Sequence, residues 1–437
     1  MRYYWSIIGM GICLMWLGLM PTQAQFVPPR ILKHPGNIRI KGETILNSRY
    51  RETNLSISPD GRYLFFMSGR GQQVWSTPFY TTYKGHPEFD GDIWYSTRDA
   101  NGRWQAPVCV SASVNTAMGE DEPNISTDGQ RVYFQSWRAD WSRSMGPYYA
   151  AQLNGTQWGA PVGLGGGITR FFVDSQTKTP TRIAYATDGA TISPDGNIFI
   201  VAAGPDYQGE MDLYISRKDA RGVWSYLKRL TISSIGNERA PFIAADNKTL
   251  YFASDGYAGW GGLDILKTTL NDDDSCGEVI NIGAPFNTVN DDYGLIMPAS
   301  GEEAFFVRDG DIYSADIREA NPDMKPQTIL MVKGKITLDR TQRGTEALVS
   351  IRHPSSNALI VQCVSNAATG EYAVLVPIEY ANFIHEVSKQ GYPEVTQQHK
   401  VVLKTGFNLV EADVALSLTP PDKPKLLEDE GAAETGN

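Results

Sequence analysis

The sequence predicts an all-β fold: a β-propeller of five blades, or six if residues 169–186 hide a further strand pair, followed by a small β-sandwich. Three observations carry this expectation. A hairpin motif returns along residues 50–317, no long stretch shows helical periodicity, and beyond residue 327 the repeat gives way to short alternating strands. With 437 residues, 41% of them hydrophobic and 11% aromatic, the chain can build two or three folded units. Its 42 Gly and 25 Pro suit many short strands joined by tight turns.

The N-terminus reads as a signal peptide over residues 1–24. Arg2 precedes an apolar run from Ile7 to Met20, and Thr22 and Ala24 are the small residues of a cleavage site. The run is short for a bilayer span, which needs about 20 residues. Residues 25–37 read as a linker, and 38–320 as the propeller.

Within the propeller, Ser58-Pro59-Asp60-Gly61 stands between two strands, as do Ser126-Thr127-Asp128-Gly129 and Ser193-Pro194-Asp195-Gly196. Weaker copies centre on Asp246-Asn247 and Ser300-Gly301. Gly and Asn supply the positive φ such turns need, and Asp bonds its own backbone there. A third strand starts at Asp92, Asp212, Asp264 and Asp311, and Trp104, Trp158 and Trp224 announce a fourth. Residues 38–46 are expected to add the last blade's outer strand and close the ring. The pattern resembles the PD40 family of WD40-like repeats, related to the propeller of the periplasmic TolB protein; the resemblance implies the fold much more than a function.

Strand directions alternate within a blade, so the short polar turns share one face and the long aromatic loops the other. On that loop face we expect a partner-binding surface of Trp75, Tyr80, Trp137, Arg138, Trp141, Tyr207, Tyr257 and Trp260, since aromatics and Arg on a rigid scaffold make interaction hot spots. The alternative is that these rings pack on one another to hold the loops down. Aligning the repeats also stacks Glu52, Glu120, Glu238 and Asp291 near the central channel. A repeated acid reads first as a repeated structural part bonding backbone N–H groups, and second as a cation or polyol site.

Residues 328–418 carry the alternating strands of a sandwich. The order Gly334-Lys335-Ile336, Thr369-Gly370-Glu371-Tyr372 and Gly391-Tyr392 resembles the carboxypeptidase regulatory-like, transthyretin-related domain, which implies no peptidase activity. Residues 419–437 read as a disordered acidic tail. A PD40 propeller followed by this sandwich resembles the middle of Bacteroidota envelope proteins that end in an OmpA-like domain, some of which act with type IX secretion. No helical repeat and no OmpA-like domain flanks it here, so direct peptidoglycan anchoring is not expected.

Charge and motif content narrow the chemistry. A formal charge of −10 argues against nucleic acid. Beyond the signal peptide, Cys109, Cys276 and Cys363 have no metal-like spacing, and one disulfide among them stays open. There is no Gly-x-Ser-x-Gly elbow, and the 5 His are scattered. Residues 271–278 miss the spacing of an EF-hand and read as a hairpin tip. No cofactor, no metal and no catalytic residue are expected. The expected role is a non-catalytic, exported scaffold or protein-interaction component in the periplasm or at the outer membrane, with envelope proteins as partners. The alternatives are a glycan- or peptidoglycan-binding module and a propeller glycoside hydrolase using two channel acids.

Overall fold

The computed structural model describes residues 28–70, 79–89, 91–206, 209–418 and 426–428; the signal-peptide reading and most of the tail lie outside them. Five antiparallel sheets stand around one axis. Blade 1 is Glu52–Ile57, Tyr63–Ser68, Asp92–Thr97 and Val108–Cys109. Blade 2 is Asp121–Ile125, Arg131–Gln135 and Tyr148–Asn154, with Gln157–Trp158 and Val162–Gly163 outside. Blade 3 is Ala186–Ile192, Ile198–Gly204, Asp212–Arg217 and Lys228–Arg229. Blade 4 is Glu238–Ile243, Thr249–Ser254, Asp264–Thr269 and Ile280–Asn281. Blade 5 is Asp292–Ile296, Glu303–Arg308 and Asp311–Asp316.

The N-terminal segment completes two blades. Arg30–Ile31 adds a parallel fifth strand to blade 4, and Ile40–Gly42 pairs antiparallel with Asp311–Asp316 as the outer strand of blade 5. The sixth-blade alternative fails at residues 169–186. A helix, α1 (Gly166–Ser175), enters that stretch and turns and coil fill it up to Ala186; the helix buries Ile168, Phe171, Phe172 and Ser175, with Ile168, Phe171 and Phe172 packed against blades 2 and 3.

The repeat motif has a local cause. The Ser58 hydroxyl donates to Asp60 at 2.6 Å and accepts the Tyr63 amide at 3.0 Å, while Gly61 sits at φ 74°. Ser126 and Ser193 make the same bonds with Asp128 and Asp195. One side chain thus closes the turn and starts the next strand. The Trp residues of the outer hairpins seal blade to blade: Trp104 lies edge-on to Phe305 of blade 5 at 5.8 Å, with Arg98 4.3 Å over its ring.

Two sheets form the C-terminal sandwich. Ile329–Leu338 is central in the first, pairing with Glu371–Val376 and, in parallel, with Phe407–Glu411 and Val414–Leu416. Leu348–Arg352, Leu359–Val364, Asn382–Ser388 and Val395–Lys400 make the second. Between them lies a core including Val332, Val349, Ile351, Tyr372 and Phe383. The sandwich seats on the propeller face that carries the Asp-Gly turns. Ile329 and Met331 pack on Ala245 and Ala299, Arg62 bridges to Glu371 at 2.5 Å, and Asn366 donates to Gly155 O at 3.1 Å. One face of the propeller is therefore covered in part. Cys109, Cys276 and Cys363 are free thiols.

Candidate binding site at the channel mouth

The acids that repeat in sequence are built into the walls. Glu52 is fully buried and accepts from Ser48 N at 3.1 Å, Ser48 Oγ at 2.6 Å, Ser68 Oγ at 3.0 Å and Arg70 at 2.6 Å. Glu120 repeats this with Thr116 and Ser136, and Glu238 with Ser234 and Ser254. Each ties an inter-blade loop to the end of a second strand. Burial raises the Glu238 carboxyl to about 7 despite these donors. In blade 5 the equivalent residue is Asp292, held by Thr288 and Arg308, and not the exposed Asp291, so the sequence alignment was one residue short there.

The aromatic set divides. Trp75 and Tyr207 lie outside the described residues, and of Tyr80 only the backbone is described. Trp137 packs edge-on against Trp141 at 5.3 Å and Phe172 at 5.7 Å, clamping α1. Arg138 donates to Val114 O at 2.8 Å and lies over Tyr149, and Tyr257 donates to Ile232 O at 2.6 Å. Trp260 remains 44% exposed.

The residues that do converge on the axis follow the repeated acid and differ from blade to blade. At the next position stand Thr53, Asp121, Thr187, Arg239 and Tyr293, and one further on Asn54, Glu122, Asp188, Ala240 and Gly294. Every first strand has a register shift here, which turns these side chains toward the axis. Asn54, Glu122 and Ala240 take φ of 52°, 55° and 45°. Below them the channel narrows to a cavity of about 10 Å³, room for about one water. Gly189 allows that closure, since a Cβ there would lie 2.6 Å from Ala240 Cα. The opening there is too narrow for a polymer chain to thread the ring.

The electrostatics are uneven. Glu122, 2% exposed, accepts from Tyr148 Oη at 2.5 Å and Gly189 N at 3.0 Å. Burial first, and the charge of Asp121 second, push its carboxyl up to about 8. Asp121 accepts from Asn54 Nδ2 at 2.8 Å and the Glu122 amide at 2.6 Å. Arg239 pairs with Asp188 across the gap between blades 4 and 3. On the far side Arg51 lies over the Tyr83 ring at 5.1 Å, and burial, then Asp188, raises the Tyr293 phenol. Asp121, Asp188, Arg239, Asn54 and Tyr293, all partly exposed, thus offer two carboxyls, a guanidinium, an amide and a hydroxyl that can accept from and donate to a hydroxyl-rich molecule, with the carboxyl of Glu122 buried beside them. Among the described residues no group of three or more His, Cys, Asp or Glu is arranged to hold a metal.

Sequence reading missed this ring because it looked for what repeats. The usable signal was the reverse: positions beside an acid that recurs in four of the five blades, with Ala186 in its place in blade 3, change from copy to copy and are free of the shared structural task.

No family model and no curated protein matches the chain. Solved structures resemble it in fold. TolB from Agrobacterium tumefaciens is 17% identical, with 78% of this chain and 98% of that one covered and a TM-score of 0.35. A gluconolactonase from Xanthomonas campestris is 10% identical over 67% and 95%, TM-score 0.32, and the β-1,2-mannobiose phosphorylase of Listeria innocua 10% over 64% and 96%, TM-score 0.39. The fold is an all-β propeller with a sandwich. Enzymes stand among the similar propellers, which overturns the expectation of a chain without catalysis; what those enzymes act on is not carried over. No helix among the described residues is long and apolar enough to cross a membrane.

Proposed function

We propose that the chain is an exported, carbohydrate-directed propeller of the cell envelope that takes a glycan over the channel mouth. The observation that carries this reading is the ring of Asn54, Asp121, Glu122, Asp188, Arg239 and Tyr293, drawn from five different blades onto one axis. A hydroxyl-rich ligand offers both donors and acceptors to such a ring, and the narrow channel beneath stops it as a floor. The sandwich seats on the opposite face, away from the mouth.

A specific observation favours a second reading, glycoside cleavage. Glu122 keeps its proton near neutral pH, and the adjacent Asp121 accepts from Asn54 and from the Glu122 amide. A protonated carboxyl with a second carboxyl beside it can supply the acid of an acid–base pair. The test is titration calorimetry of the full chain with bacterial cell-wall fragments and neutral polysaccharide oligomers, followed by a reducing-end assay. Binding abolished by Asp188→Asn and Arg239→Ala together supports the site, and new reducing ends lost on Glu122→Gln establish cleavage. Binding that survives the double variant, or no binding to any of the oligomers, refutes the proposal.

A further inference from the structure

We infer that the loop face over blade 4 docks a basic, apolar polypeptide segment of another protein. This uses different residues from the channel mouth and does not depend on it.

Three loops meet there: residues 233–237 between blades 3 and 4, 255–262 within blade 4, and 287–291 between blades 4 and 5. Ile235 is 104% exposed, Val289 80% and Trp260 44%. Ile235 and Val289 occupy one repeat position, directly after the Ser or Thr that bonds the wall acid. Arg49 and Ala117 fill it elsewhere, so the aliphatic side chains flank blade 4 alone and serve no shared structural task.

The loops are fixed before any partner arrives. Asp255 accepts from Asn237 N at 2.6 Å and Asn237 Nδ2 at 2.9 Å. Asp264 accepts from Trp260 N at 2.8 Å, and Asp291 from Leu263 N at 3.0 Å. A Cβ added to Gly261 would lie 2.4 Å from Asn290 O, so the second and third loops touch. Rigid exposed anchors lose little freedom on binding.

Charge selects the occupant. The loops at 231–237, 255–263 and 287–291 contain no Lys or Arg and carry the exposed Asp255 and Asp291, with the exposed Asp206 and Glu210 on blade 3 beside them; Arg229, which donates to Ser233 O and Ser234 O, is neutralised by Asp212. An acidic rim around an apolar centre attracts Lys or Arg flanking an apolar residue. The same rim repels an anionic bilayer surface. A second copy of this chain, with net charge −10, is equally disfavoured.

The experiment pans a displayed library of random short peptides against the full chain, then measures the enriched peptide by fluorescence anisotropy. Enriched sequences should set Lys or Arg beside an aromatic or aliphatic residue. Trp260→Ser with Val289→Ser should weaken binding by about tenfold or more. Asp206→Asn with Glu210→Gln should weaken it by a few-fold and flatten its salt dependence. An unchanged thermal melt keeps folding out of the comparison. Enrichment of nothing, of acidic sequences, or of peptides indifferent to the apolar pair overturns the inference. Sedimentation showing a dimer that the apolar pair dissolves would assign the patch to a second copy and overturn it too.

Discussion

Replacing Glu122 by Gln should reshape how stability depends on pH. In the folded chain Glu122 is buried against Tyr148 and Gly189, and its carboxyl titrates at about 8. In the unfolded chain it titrates at about 4.3. A group whose folded value is raised contributes stability that is complete below the unfolded value and lost as pH climbs to the folded one. Within that window the loss approaches about 1.4 kcal/mol per pH unit, hence about 2–3 kcal/mol between pH 5.5 and 7.5. Gln has nearly the shape of the protonated acid and carries no such titration. Glu238, with no contact to Glu122, acts alike in both chains, so the difference reports Glu122 together with the Asp121 and Tyr148 groups coupled to it. Urea unfolding followed by tryptophan fluorescence at several pH values would measure it. Glu122→Gln should gain on the parent by about 2–3 kcal/mol over that range. Parallel stability curves would refute the account of a proton trapped at the channel mouth.

The sandwich should respond to acid in the opposite sense. His385 is wholly buried beside Tyr372 and His399, and burial lowers it to about 4, so stability present above about 6.5 is lost as pH falls to 4, by about 3 kcal/mol, as hydrogen exchange of Asn382–Ser388 would register. Asn115→Ala should cost about 1–2 kcal/mol in the melt, because the Asn115 amide oxygen accepts from the Ile93 N–H, which the change strips of that acceptor, while Ile93 O keeps the Val110 amide. Met331→Ala, at the propeller–sandwich contact, should cost about 2–3 kcal/mol and speed protease cleavage near residues 326–328.

Much of the fold was legible because it is local. A Ser, an Asp and a Gly within four residues close each of three hairpins, so the sequence had only to be compared with itself. The helix α1 was readable in principle, since Ile168, Phe171, Phe172 and Ser175 fall on one helical face, but the glycines at 165–167 disguised its start. The site was harder. Glu52, Glu120 and Glu238 announced themselves by recurring, and recurrence marked wall supports. Asp121, Asp188 and Arg239 acquire meaning only when the ring sets them across from each other. Trp137 and Trp141 looked like binding aromatics for want of Phe172, the partner the fold gives them. The seat of the sandwich joins Arg62 to Glu371 and Gly155 to Asn366, contacts no local pattern announces.

The strand at Ile40–Gly42 has a kinetic consequence. Its partner, Asp311–Asp316, is made some 270 residues later, so the ring cannot shut until nearly the whole propeller is available in one place. Until then blade 5 has an open edge and Arg30–Ile31 waits for blade 4. A chain entering a new compartment N-terminus first would hold its clasp out from the beginning and fasten it last. The first blades would have to persist as an open arc, exposed to edge-to-edge pairing, for the time the rest takes to arrive.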